Sequence, residues 1–185
     1  MRLHPQILMQ EKAMGGTNIK EICWITVLTI LCIACFPLNP LVLTGLLETG
    51  FYRPLFILGW VVWAIGMVLV MAPMVMFPLR GGIMKGKSFV QTTRLVDSGI
   101  YAVVRHPQYL GGILAIFVAT PLLYPHWLFV VLGVPGVILS YLSTKWEEKR
   151  LIERFGGEYQ AYMQRVPRMN LILGIIRVWR RQKSR

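Results

Sequence analysis

Four long apolar runs, at 22–47, 54–79, 107–124 and 127–145, leave this chain few ways to fold. A helix needs about 20 residues to cross roughly 30 Å of hydrocarbon. A chain that is 55% hydrophobic and only 15% charged reads as an integral membrane domain rather than a water-soluble one. The runs predict an all-α integral membrane fold of four transmembrane helices. A fifth is allowed if the first run, interrupted by Pro37 and Pro40, folds back as a re-entrant pair.

The 20 lysines and arginines sort with these spans. Three precede the first run, five lie between the second and third, and eleven begin at Lys145, so that only Arg53 falls on the other side. The positive-inside rule then puts both termini in the cytoplasm. The membrane would be the plasma or inner membrane of a prokaryote, or the endoplasmic reticulum of a eukaryote. The same flanking pattern accounts for the formal charge of +12 and argues against a nucleic-acid partner, since the basic residues are not interleaved with aromatics on a soluble module. Cys23, Cys32 and Cys35 all fall in the first run without a histidine cluster, so they read as small apolar residues and no metal site is expected. We divide the single membrane domain, 1–185, into N-terminal spans (21–79), a loop (80–106), a helical hairpin (107–146), and cytoplasmic helices with a basic interfacial tail (147–185).

Tyr124, Pro125 and His126 leave room only for a tight turn, so the third and fourth runs form an antiparallel hairpin. Its arms rise by about 27 and 30 Å at 1.5 Å per residue. That brings Arg105, His106 and Tyr109 level with Lys145, Glu147 and Glu148. Pro107 suits the first turn of a helix, and Gly111, Ala115 and Ala119, four residues apart, permit a neighbouring span to come close. Both signs of charge at the hairpin mouth suit a zwitterionic ligand with an apolar or aromatic part. Pro73, Pro78, Pro121 and Pro135 fall inside spans, which points to a cavity or protein contact that satisfies the freed backbone groups. Downstream, Leu151, Phe155, Tyr159, Tyr162 and Val166 recur at steps of three and four. They give a helix pair, broken at Gly156 and Gly157, whose apolar face either covers the mouth or lies on the bilayer. The stretch 172–185 mixes isoleucines and Trp179 with arginines, as an interfacial anchor on anionic lipid does.

Two motifs, LVDSGIYAVVRHPQYLGG at 95–112 and WEEKRLIERFGGEYQAYMQRVPR at 146–168, resemble the isoprenylcysteine carboxyl methyltransferase family and the related phospholipid N-methyltransferases. The resemblance implies a membrane enzyme that takes a methyl group from S-adenosylmethionine and passes it to a lipophilic acceptor, either an isoprenylcysteine-like carboxylate or a lipid amine. It implies cofactor contacts for His106, Pro107, Gln108, Tyr109, Glu147 and Glu148, with His106 and Glu147 as positioning groups and no residue assigned to catalysis itself. Thr93, Arg94, Leu95, Val96 and Tyr101 match further contact positions, partly through backbone groups. Gln91 matches a cofactor-binding glutamine if a short length difference is allowed. On charge, Arg105 or His106 suits the cofactor's carboxylate and Glu147 or Glu148 its ammonium or ribose hydroxyls. Tyr101 or Tyr109 can lie against the adenine.

No GxGxxG follows a strand, so no Rossmann domain is expected and the cofactor must bind between helices. Methyl transfer is an in-line displacement at an activated carbon, for which a protein chiefly supplies positioning and a dry cavity. No general base is evident, which leans toward a carboxylate or an acceptor that loses its own proton. Ser143 stands where the eukaryotic prenylcysteine enzymes carry a substrate-binding arginine, so the acceptor stays open. Two other readings remain. One is a sterol-type reductase using NADPH, since such membrane enzymes carry a similar RHPxYxG segment; the other is a non-catalytic lipid-binding protein. The sequence does not define an oligomeric state.

Overall fold

The computed structural model describes residues 19–36, 40–80 and 94–183, and every regular element among them is helical. The first run gives α1 (Ile19–Ala34) and the short α2 (Pro40–Leu43), and the second gives α3 (Arg53–Arg80). The hairpin is α4 (Pro107–Leu123) and α5 (Trp127–Phe155), followed by α6 (Gly157–Arg165) and α7 (Leu171–Lys183).

Helices α3 and α5 are long and apolar enough to cross a membrane. Only 17% and 28% of their most apolar windows are buried, so most of that surface faces outward, as lipid contact requires and a soluble core would not. The other runs give shorter helices. With 16 and 17 residues, α1 and α4 rise about 24 and 26 Å, against roughly 30 Å of hydrocarbon. The four expected spans therefore correspond to two full-length helices and two shorter apolar ones.

Helix α4 widens to a π-helix over Ile113–Val118. Pro121 accounts for it: proline carries no N–H, and its ring would strike the carbonyl of Phe117 in a regular turn.

Small residues set the packing. A Cβ on Gly111 would stand 2.5 Å from the Gly66 carbonyl oxygen and 2.8 Å from the Val70 nitrogen, so α4 meets α3 backbone to backbone. The small-residue stripe does bring a span close, and that span is α3 rather than the hairpin partner. Against α5, contact runs through Phe117, which packs on Gly133 and Gly136. Helix α1 packs on α5, and the Thr120 hydroxyl donates to the Cys35 carbonyl just beyond α1.

At the hairpin turn, Nδ1 of His126 accepts from the Leu128 N–H at 3.2 Å and caps α5. At the other end α5 stops at Gly156, whose φ of +56° disfavours any side chain, and the chain turns into α6. Beyond α6 it returns to the start of α4. There the N–H of Arg105 donates to the Pro167 carbonyl at 3.0 Å and the N–H of His106 to the Arg168 carbonyl at 3.2 Å.

Candidate functional site

The hairpin mouth, the end of α3 and helix α6 enclose a cavity of about 280 Å³, near the lower bound of the ~300–1,000 Å³ usual for ligand pockets. Pro73, Met74 and Phe77 of α3 form one wall, and Leu95, Val96 and Tyr101 of the connecting segment another. Residues 105–109 contribute the polar end, while Glu147, Leu151 and Phe155 of α5 and Tyr159 and Tyr162 of α6 close it. The apolar face of α6 is therefore a roof over the mouth. It is held by a core of Tyr159, Tyr162 and Val166, against which Leu95, Leu151, Ile152 and Phe155 pack. The Tyr162 hydroxyl donates to the Tyr101 carbonyl at 2.7 Å, and the Tyr101 ring stacks on Phe77 with centroids 5.5 Å apart. Burial pushes the Tyr101 and Tyr159 phenols up, so these walls stay neutral.

Glu148, 3% exposed, organises the charges. Its Oε1 lies 3.1 Å from Nη1 of Arg105, and accepts from Nε2 of His106 at 3.3 Å and from Nε of Arg168 at 3.0 Å. Its Oε2 pairs with Nη2 of Arg168, which also donates through Nη1 to the Tyr141 hydroxyl at 3.0 Å and lies over that ring. Successive helical residues point about 100° apart. Glu147 therefore looks into the cavity, with Oε2 3.6 Å from Nδ1 of His106, while Glu148 turns behind it.

His106 thus sits between two carboxylates. Burial alone would disfavour its charged form, but the carboxylates of Glu147 and Glu148 on either side hold the imidazole pKa above its ordinary 6.5. A raised pKa contributes stability that is complete below the unfolded value and is lost as pH rises through the folded one. The thermal midpoint of the protein should therefore fall as pH climbs above about 6.5, and His106→Gln should flatten that fall. If wild type and variant lose stability in parallel across the interval, the imidazole is not charged between the glutamates.

Four buried polar atoms among the described residues lack a hydrogen-bond partner: Nε and Nη1 of Arg105, Oε2 of Glu147 and the hydroxyl of Tyr159. All belong to residues that line the cavity. Each such atom costs about 1–3 kcal/mol when left unpaired. Their collection on one cavity, donors beside an acceptor between aromatic walls, suits a polar ligand with an anionic and a cationic end.

Of the residues singled out in the sequence, Leu95, Val96, Tyr101, Arg105, His106, Pro107, Gln108, Tyr109 and Glu147 line the cavity. Glu148 does not, because Arg105, His106 and Arg168 already occupy its carboxylate. Arg94 is exposed and off the lining, and Gln91 and Thr93 lie outside the described residues. Sequence reasoning missed Arg168, for which the VPR motif was the available signal, and the α3 wall, for which Pro73 inside an apolar run was a weak one. No group of three or more His, Cys, Asp or Glu among the described residues is placed to hold a metal ion.

Comparison with known proteins adds three findings. The chain is 28% identical over 117 residues to the methanethiol S-methyltransferase of Pseudomonas deceptionensis, a match covering 60% of this chain and 42% of that protein. Methanethiol S-methyltransferase 2 of Bradyrhizobium diazoefficiens is 35% identical over 88 residues, 48% of this chain and 30% of the relative. The matches thus span less than half the length of these relatives, and no solved structure matches the chain significantly. The phospholipid methyltransferase family model matches residues 54–158, which runs from α3 through the polar hairpin mouth to the first turn of the roof. On that match the chain belongs to the phospholipid methyltransferase family.

Proposed function

We propose that the cavity binds S-adenosylmethionine and that the protein transfers its methyl group to a small or lipophilic acceptor at the cytoplasmic face of a membrane. The observation that carries this reading is the meeting, in one cavity, of Arg105 donors and a Glu147 oxygen that have ionic neighbours but no hydrogen bond of their own. The amino-acid end of the cofactor has a carboxylate for the first and an ammonium for the second. His106, whose imidazole pKa its two glutamates raise, stands beside Arg105. Phe77, Tyr101 and Tyr109 offer faces for the adenine. When bound, the cofactor supplies a sulfonium-activated methyl group open to in-line displacement. The chain's own part is to hold both reactants in line and exclude water, which the α6 roof and the apolar walls serve.

Arg105 faces the cavity with a fixed positive charge, and Glu147 faces it with a negative one, so the polar end presents both signs to an acceptor. A thiol, the acceptor in the relatives' names, would be deprotonated more easily beside Arg105. An isoprenylcysteine-like carboxylate would use Arg105 in the same way, and a lipid amine would use Glu147.

Calorimetric titration of the purified protein should give saturable binding of S-adenosylmethionine and none of NADPH. Binding of NADPH alone would favour the reductase reading, and binding of neither by a folded protein would sink the methyltransferase one. Labelled cofactor incubated separately with methanethiol and with a membrane lipid extract then identifies the acceptor.

A further inference from the structure

We infer that α7 docks on anionic lipid headgroups and that this docking orders the charged end of the cavity. Ile172, Ile175, Ile176 and Trp179 are all exposed. At 100° per residue they fall within an arc of about 100°. Arg180 and Arg177 occupy the adjoining arc, Nζ of Lys183 lies 5.6 Å from the Trp179 ring, Arg181 turns to the packed side and donates to the Arg165 carbonyl, and α7 contains no acidic residue. The opposite side is closed, because Gly174 touches the Val103 carbonyl with no space for a Cβ, so the apolar face cannot turn inward. An apolar stripe bordered by charge of one sign fits a helix lying in the headgroup plane. Anionic lipid is the occupant that complements both halves, and the membrane-crossing α3 and α5 keep that surface within reach.

The link to the cavity is short. Only Met169 and Asn170 separate Arg168 from α7, and the Asn170 side chain accepts from the Leu173 N–H at 2.9 Å, fixing the start of the helix. The same segment receives the N–H groups of Arg105 and His106 on the Pro167 and Arg168 carbonyls and pairs Arg168 with Glu148. A helix held at the bilayer surface therefore holds the segment that positions Arg105 and His106. This does not depend on which ligand the cavity takes.

Amide hydrogen exchange of the full chain in nanodiscs tests it, comparing phosphatidylcholine alone with discs containing about one third phosphatidylglycerol. In the anionic discs, amides of 171–183 should exchange roughly tenfold more slowly, and those of Arg105 and His106 should slow with them. Salt near ~0.5 M should reverse both effects. The combined Arg177→Gln, Arg180→Gln and Lys183→Gln variant should lose the lipid dependence while keeping its helical circular dichroism. Equal exchange of 171–183 in the two bilayers overturns the docking. Slower exchange in α7 with Arg105 and His106 unchanged overturns the coupling.

Discussion

Replacing Glu148 with alanine should lower the unfolding free energy by about 3–5 kcal/mol or prevent folding, whereas Glu147→Ala should leave it within about 1 kcal/mol of wild type. The two glutamates are neighbours in one helix and differ only in surroundings. The Glu148 side chain is 4% exposed and faces Arg105, itself 8% exposed, as well as His106 and Arg168. Removing its carboxylate leaves those cations close together in a dry place with no counter-charge. The Glu147 side chain is 41% exposed and faces a ring nitrogen of His106 at 3.6 Å and the Tyr109 hydroxyl, so water can replace much of what is lost. Denaturant unfolding in detergent measures both, and Glu148→Gln, which keeps the shape and removes the charge, separates electrostatics from packing. A Glu148→Ala protein as stable as wild type would mean that the cations find other partners and that Glu148 clamps nothing.

That contrast also marks how far the sequence could be read. The hairpin was legible, because a three-residue turn between two apolar runs of matched length forces His106 level with Glu147 and Glu148. The division of labour between the glutamates was not. One helical step decides which looks into the cavity, and the rotation of α5 is set by contacts such as Phe117 on Gly133 and Gly136, which no local pattern announces. The small-residue stripe of α4 was visible as a stripe, but periodicity shows a face and not its partner, so α3 emerged only in three dimensions. Arg168 stood in a quoted motif without a role, since its pairing with Glu148 needs the chain to reverse after α6 and return to the start of α4. The periodic face of Leu151, Phe155, Tyr159 and Tyr162 left roof and bilayer equally open. Its burial against Leu95 and Tyr101 answers in favour of the roof.

On the proposed reading, Arg105→Lys should keep the fold and lose about 1.5–3 kcal/mol of S-adenosylmethionine binding, roughly ten- to 150-fold in affinity. In the wild type, Nη1 of Arg105 stands 3.1 Å from Glu148, while Nε and Nη1 lack any aligned hydrogen-bond acceptor. The planar guanidinium thus serves the glutamate by charge and still presents donors to the cavity. A lysine has one compact ammonium on a flexible stem and cannot do both. It would remain with Glu148, which preserves the charge balance and hence the stability, and the cavity would lose the donors meant for the ligand's carboxylate. Arg168→Lys should give the opposite profile. The Arg168 side chain pairs with Glu148 and Tyr141 and does not line the cavity, so its loss should lower the thermal midpoint more than it lowers affinity. Calorimetry and thermal unfolding on the two variants side by side distinguish ligand contact from support. Unchanged affinity in Arg105→Lys would move the ligand's carboxylate to another part of the cavity, with His106 as the remaining cation to test.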